Sequence, residues 1–155
     1  MKNLSLEGQT LVETVAALAV TVIIITALVG MAVTSLRSSN LSRSKAIASQ
    51  LLSEEIEKVR IYRDANTFGG LTADLTALRT LQACNTNVGP YYVNSSNNLV
   101  GSSETVSLNS LNFSRYFYAC LSASSTQLRV TATVSWNDSA GTHPIKATTY
   151  FSNWR

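Results

Sequence analysis

The sequence predicts an α+β fold in which one long N-terminal helix packs on a small antiparallel sheet of three to four strands. Three observations predict it. Residues 11–36 form an apolar run whose only charge is Glu13. Beyond that run Leu41, Ala48, Leu52, Ile56, Val59 and Tyr62 recur at mostly three- and four-residue steps, the signature of one buried helix face. In the last third of the chain Leu128, Val130, Ala132, Val134 and Trp136 alternate with Arg129, Thr131, Thr133 and Ser135, the signature of a strand with one covered face.

At 155 residues the chain supports one domain at most, and the apolar segment with its flank takes roughly a quarter of it. Hydrophobic residues make up 45% and charged residues 14%, an excess concentrated in residues 11–36. The formal charge of +3 comes from scattered Arg and Lys, with no block of like charge that would point to nucleic acid or another acidic partner. Cys84 and Cys120 are the only cysteines and lie in no CxxC or Cys/His cluster. A disulfide is the simplest use for them and implies an oxidising, extracytoplasmic setting; the alternative is two unrelated buried thiols in a cytosolic domain.

From Thr14 to Leu36 there is no charge, and about twenty such residues suffice to cross a hydrocarbon core as a helix. Glu13 therefore sits at membrane depth or at its edge, where an ionised side chain costs a few kcal/mol and must be neutralised, paired or useful. A plain signal anchor that tolerates an acid near the interface is the competing reading. The flanking charges conflict with an outward head: Arg37, Arg43 and Lys45 follow the run, whereas Lys2 precedes it, offset by Glu7 and Glu13. Gly30 is the only weak point in the run, and a lone Gly in such a helix is more often a close-packing residue.

The stretch Gly8-Gln9-Thr10-Leu11-Val12-Glu13-Thr14 resembles the class III leader of type IV prepilins and type II secretion pseudopilins. The resemblance implies removal of residues 1–8 by a prepilin peptidase cutting after Gly8 on the cytoplasmic side. It also implies N-methylation of the new terminus at Gln9, and a filament-core or transmembrane helix over residues 9–36. It makes Glu13 the hallmark acid at the fifth mature position, and the terminal ammonium of a neighbouring subunit its partner; a buried pair of this kind sets register more than it adds stability. The partners it implies are the peptidase, other pilin or pseudopilin subunits, an assembly platform protein with its ATPase, and the membrane. It resolves the charge conflict in favour of a C-terminal head outside the bacterial cytoplasmic membrane, later in a pilus or pseudopilus on the cell surface. Lys2 as the only basic leader residue, Glu7 beside the cut and Gln9 in place of the commoner apolar residue depart from the family pattern.

Residues 37–66 are expected to continue the helix as its amphipathic half, ended by Phe68-Gly69-Gly70. Arg43, Ser49, Glu54, Glu57, Lys58 and Arg60 are assigned to its wet side, and Glu54, Glu55 and Glu57 to a solvated charged face, with Glu54 and Lys58 spaced as a supporting pair. A continuous helix from Leu11 to Ala65 would be roughly 80 Å long and needs a partner along it; the stripe lacks a sustained heptad, which favours a spine for a sheet over a coiled coil. Residues 67–155 are expected to form a β-rich head. Within it, residues 71–83 suggest a short helical turn, 85–90 and 94–103 are loops, and 91–93 could add a short edge strand. The strands are 115–123, 127–136 and 145–152, the last two joined by a polar turn over 137–144. A Cys84–Cys120 bond would close a loop of about 36 residues and contribute on the order of 3 to 4 kcal/mol. Many major pilins close a C-terminal loop with their disulfide instead; here Arg155 follows the last strand too closely, so within the resemblance a minor pilin or pseudopilin is expected.

No catalytic constellation emerges, and no enzyme and no cofactor is expected. His143, the only histidine, falls in the polar turn beside Pro144 with no nucleophile at a recognisable spacing, and is expected to be exposed. Metal ligation would need His143 with both cysteines, or Asp138 and Asn137 with further oxygens; neither spacing matches a known site, and no metal is assigned. Gly69-Gly70 lacks the lysine of a phosphate loop. Tyr91, Tyr92, Tyr116, Phe117 and Tyr118 beside Arg115 and Arg129 could stack nucleic-acid bases, although sheet-face aromatics are the commoner reason for such a set. The leading expectation is thus a structural filament subunit, and the alternative is a single-pass anchored extracytoplasmic binding or adhesion protein that does not polymerise.

Overall fold

The computed structural model describes residues 6–84 and 86–153, with side chains from residue 10 onward. The element order is α1 (Leu6–Leu78), β1 (Val88–Val93), β2 (Leu99–Val100), β3 (Glu104–Leu108), β4 (Leu111–Leu121), β5 (Gln127–Asp138) and β6 (Gly141–Ser152). The chain divides into two compact units, one ending at Ser44 and one running from Lys45 onward. The division falls inside the stretch read as the amphipathic half of the helix.

In the first unit the helix is unbroken through Gly30. Its β-branched residues are tolerated because helix satisfies every backbone group internally. The threonine hydroxyls follow suit: Thr14, Thr21, Thr26 and Thr34 donate to the carbonyls of Leu11, Ala17, Val22 and Gly30 at 2.8–2.9 Å.

In the second unit the helical part of α1 buries Ala48, Leu51, Leu52, Glu55, Val59 and Tyr62, then Leu71 and Leu75. The expected terminator is a kink rather than an end. Thr67 alone leaves helical geometry (φ 65°, ψ 168°), and its Oγ1 accepts the Gly70 N–H at 3.3 Å, capping a second helical segment that carries on to Leu78. Gly69 and Gly70 thus open a helix instead of closing one. Tyr62 Oη donates to Asp74 Oδ2 at 2.6 Å across the kink; burial and this carboxylate together push the phenol up to about 12.

Among the described residues the sheet has six strands rather than three or four, in the order β2-β1-β4-β5-β6, with β3 also on β4. β4, β5 and β6 are the expected long strands. β1 is the expected edge strand lengthened backwards over Val88 to Pro90, and its edge is covered by β2, inside a stretch read as loop. β3 forms a hairpin with β4 through Asn109 and Ser110, both at positive φ, the conformation of a two-residue hairpin turn. The turn between β5 and β6 shrinks to Ser139 and Ala140, because the period-two pattern runs on to Asp138 and resumes at Gly141. Gly89 lets β1 approach β4: a Cβ there would stand 2.8 Å from the Phe117 carbonyl oxygen.

One sheet face carries Tyr91, Val93, Phe113, Arg115, Phe117, Ala119, Leu128, Val130, Ala132, Val134, Trp136 and Phe151, and this face with the buried helix stripe is the core. Phe113 packs on Trp136 and Tyr91 on Phe117, with ring centroids 5.8 and 5.6 Å apart. Cys84 and Cys120 are bonded, tying the segment after α1 to β4.

Candidate functional site

Two features stand apart from an ordinary core: a surface that no soluble head needs, and a charge cluster inside the head. The surface is the helix of the first unit. From Leu11 to Leu36 its large apolar side chains are exposed on every side, from 42% at Val33 to 69% at Met31. An amphipathic surface helix would hide one stripe, and this one hides none. It is long and apolar enough to cross a membrane, and with its hydroxyls turned back onto its own carbonyls it presents little unmet polarity to lipid or to neighbouring helices. The exposed carboxylate of Glu13 opens this surface. Gly8 and Gln9, the expected processing residues, lie outside the residues whose side chains are described.

The cluster ties helix to sheet. Arg115 on β4 is 4% exposed, between Phe113 and Phe117 on the core face. Its Nε bonds Glu104 on β3, its Nη1 lies 2.9 Å from Glu54, and Glu55 Oε2 is 3.6 Å from its Nε. Glu55 is fully buried, and its Oε1 accepts the Val93 N–H of β1 at 3.1 Å. One guanidinium therefore serves three carboxylates from two elements, and Lys58 adds a second cation 3.1 Å from Glu54. Burial pushes the Glu55 carboxyl up despite the Val93 bond and Arg115. Burial works the same way on Glu54, but hydrogen bonds from Arg115 and Lys58 outweigh it and hold that carboxyl low. Burial would lower the Arg115 guanidinium, but Glu104 and Glu54 hold it up.

The expected solvated acidic face is corrected here for one member: Glu57 pairs with Arg60 at 2.6 Å in water, Glu54 is half in water, and Glu55 is inside. Its spacing carried the signal, since it lies four after Leu51 and four before Val59, on the apolar stripe itself.

His143 is also corrected. It is half-buried in β6, stacked on Trp136 with centroids 5.3 Å apart, and its Nε2 is 3.0 Å from Asp138 Oδ1. The disulfide removes Cys84 and Cys120 as metal ligands, and among the described residues no three His, Cys, Asp or Glu side chains gather as a metal site. The aromatic set does not share a face: Tyr91 and Phe117 are in the core, while Tyr116 and Tyr118 pack edge to face at 5.4 Å on the other side of the sheet. Arg129 is turned to the Cys84 carbonyl and Asn87 Oδ1, both at 3.0 Å. No family model, curated protein or solved structure matches the chain.

Proposed function

We propose that the chain is a structural subunit, a minor pilin or pseudopilin, of a type IV pilus-like or type II secretion-like filament. The observation that carries this reading is the helix surface of the first unit, apolar on all sides and marked by one carboxylate five residues after Gly8. Before assembly, lipid covers that surface; in a filament, the same helices of neighbouring subunits cover it and Glu13 meets the terminal ammonium of a neighbour. The disulfide-bonded, cluster-locked head fits an extracytoplasmic location. On this reading a prepilin peptidase cuts after Gly8, and a platform protein and ATPase supply the work of extraction.

Co-expression with a prepilin peptidase and intact-mass measurement test the first step. Loss of residues 1–8, abolished by Gly8→Ala, is the expected result; an uncut wild-type chain would leave only a single-pass anchored protein. Glu13→Ala is then expected to be cut normally and excluded from filaments. Normal incorporation of the cut variant would remove the role given to this carboxylate.

A further inference from the structure

The two edges of the sheet are built differently. One is broken into β3 of five residues and β2 of two, and such short strands resist pairing with another chain. The other is β6, twelve continuous residues paired, among the described residues, with β5 alone. Its hydrogen-bond phase follows from Pro144, which has no N–H and stands opposite Ser135. That pair is therefore a non-bonded one, and alternation makes Val134–Ile145, Ala132–Ala147 and Val130–Thr149 the bonded pairs. The Asn153 N–H donating to the Thr126 carbonyl at 3.0 Å continues the same phase. The backbone groups of Lys146, Thr148, Tyr150 and Ser152 consequently point away from the sheet, and these side chains are all exposed, Tyr150 by 65%.

We propose that this edge docks a second copy of the chain, β6 against β6 antiparallel, about a two-fold axis at Thr148. The strand is complementary to itself in that register. Thr148 faces Thr148, and each Lys146 faces a Tyr150 ring, a cation against an aromatic face instead of another cation. Each Pro144 falls opposite Ser152 at the end of the ladder, where a missing N–H interrupts nothing between. Shifting the axis to Ala147 sets Tyr150 opposite Pro144 and loses both features. A lysine on an edge strand ordinarily discourages pairing, and this register is the one that accommodates it. A two-fold contact closes on itself, so it joins two heads and does not propagate; its axis stands normal to the sheet and reverses the helix direction between the two copies, so it joins opposed chains and not side-by-side neighbours within one proposed filament. The pairing is independent of leader cleavage.

The test uses the full chain in detergent micelles. Opposed Cα atoms of a bonded antiparallel pair stand about 5.5 Å apart, within disulfide reach. Under mild oxidation Thr148→Cys is expected to give a covalent dimer whose peptide map shows a 148–148 link. Lys146→Cys and Tyr150→Cys are each expected to give no covalent dimer alone and to cross-link when mixed. Thr148→Pro keeps the β5 ladder bonds, as Pro144 does, though it gives up the Thr131–Thr148 hydroxyl contact; it is expected to abolish the dimer seen by sedimentation while the head still unfolds cooperatively, with a Tm that no longer rises with protein concentration. A dimer that survives Thr148→Pro is held by the helix and would overturn the proposal. So would Lys146→Cys linking to itself as readily as Thr148→Cys, or no dimer in any variant.

Discussion

Replacing Arg115 with methionine separates packing from charge inside the head. Methionine keeps much of the volume but withdraws the guanidinium from Glu55, which is fully buried and has only the Val93 N–H left at Oε1. Glu54 matters less, because Lys58 stays 3.1 Å away and the side chain is 47% exposed. Glu104 is 28% exposed and can turn to water. The loss therefore centres on Glu55, and breaking a buried pair of this kind costs about 3–5 kcal/mol. The pH dependence has a definite sign. A carboxyl held above its ordinary range in the folded state binds its proton more tightly there than in the unfolded chain. Stability therefore falls as pH rises from the ordinary carboxylate value through the raised one, and the whole penalty stands above it. Without Arg115 the carboxyl rises further, so Arg115→Met is expected to be destabilised more at pH 7 than at pH 4. The double variant Arg115→Met/Glu55→Leu is expected to return to within about 1 kcal/mol of the parent. Denaturant unfolding of the full chain in detergent, followed by fluorescence of the buried Trp136, measures all three. Equal destabilisation of Arg115→Met at both pH values would mean that lost packing, not the stranded carboxylate, is responsible.

Other substitutions bear on single contacts. Cys84→Ser with Cys120→Ser opens a 36-residue separation and is expected to lower the stability of the head by about 4 kcal/mol in the loop-entropy model, read as a shifted denaturation midpoint relative to the oxidised parent. Thr67→Gly relieves a β-branched residue held at φ 65°, a strain of about 1–3 kcal/mol, and gives up a cap worth a few tenths when glycine replaces it. A net gain is expected, and a lower Tm would refute it. For Glu54, held low by Arg115 and Lys58, the sign is opposite to that of Glu55: its stabilisation is lost as pH falls through the folded value, so Glu54→Gln is expected to weaken acid sensitivity, measured as a shallower drop in stability below pH 4.

The long helix, the three long strands and their burial phase were legible because each rests on a periodicity repeated several times: Leu128 to Trp136 places five apolar residues at alternate positions, and chance rarely does. β3 and β2 were not. Glu104–Leu108 alternates only briefly, Thr105 and Ser107 against Val106 and Leu108, two periods that do not stand out from a polar stretch, and Leu99–Val100 is too short to show a period. The kink at Thr67 is masked in the sequence by Gly69-Gly70, a pair typical of a helix end, while the threonine two residues earlier supplies the hydroxyl that caps the next segment. The ion cluster was hidden for another reason. Both members read as surface residues by type, yet both are in phase with the core, Glu55 with Leu51 and Val59, Arg115 with Phe113 and Phe117. An acid and a base each in core phase on facing elements are a pair that pattern alone can propose, but their meeting depends on a register that only the fold sets.

Two acids in one helix thus pose the same problem. Glu55 leaves water permanently when the head folds, and the chain supplies its own partners, the Val93 N–H and Arg115. Glu13 is exposed on an apolar surface, at the head of a run with no cation from Thr14 to Leu36. Any apolar surroundings that cover this surface must either neutralise the carboxylate or bring a cation to it. In the proposed filament a neighbouring subunit whose free amino terminus stands four residues before its own acid would bring that cation, and would do so only in one stagger. The same physics that makes Glu55 a lock inside one head would make Glu13 a ruler between subunits: Glu13→Gln, which needs no cation, is expected to assemble poorly because it removes the penalty for every wrong stagger, even though it makes the helix easier to bury.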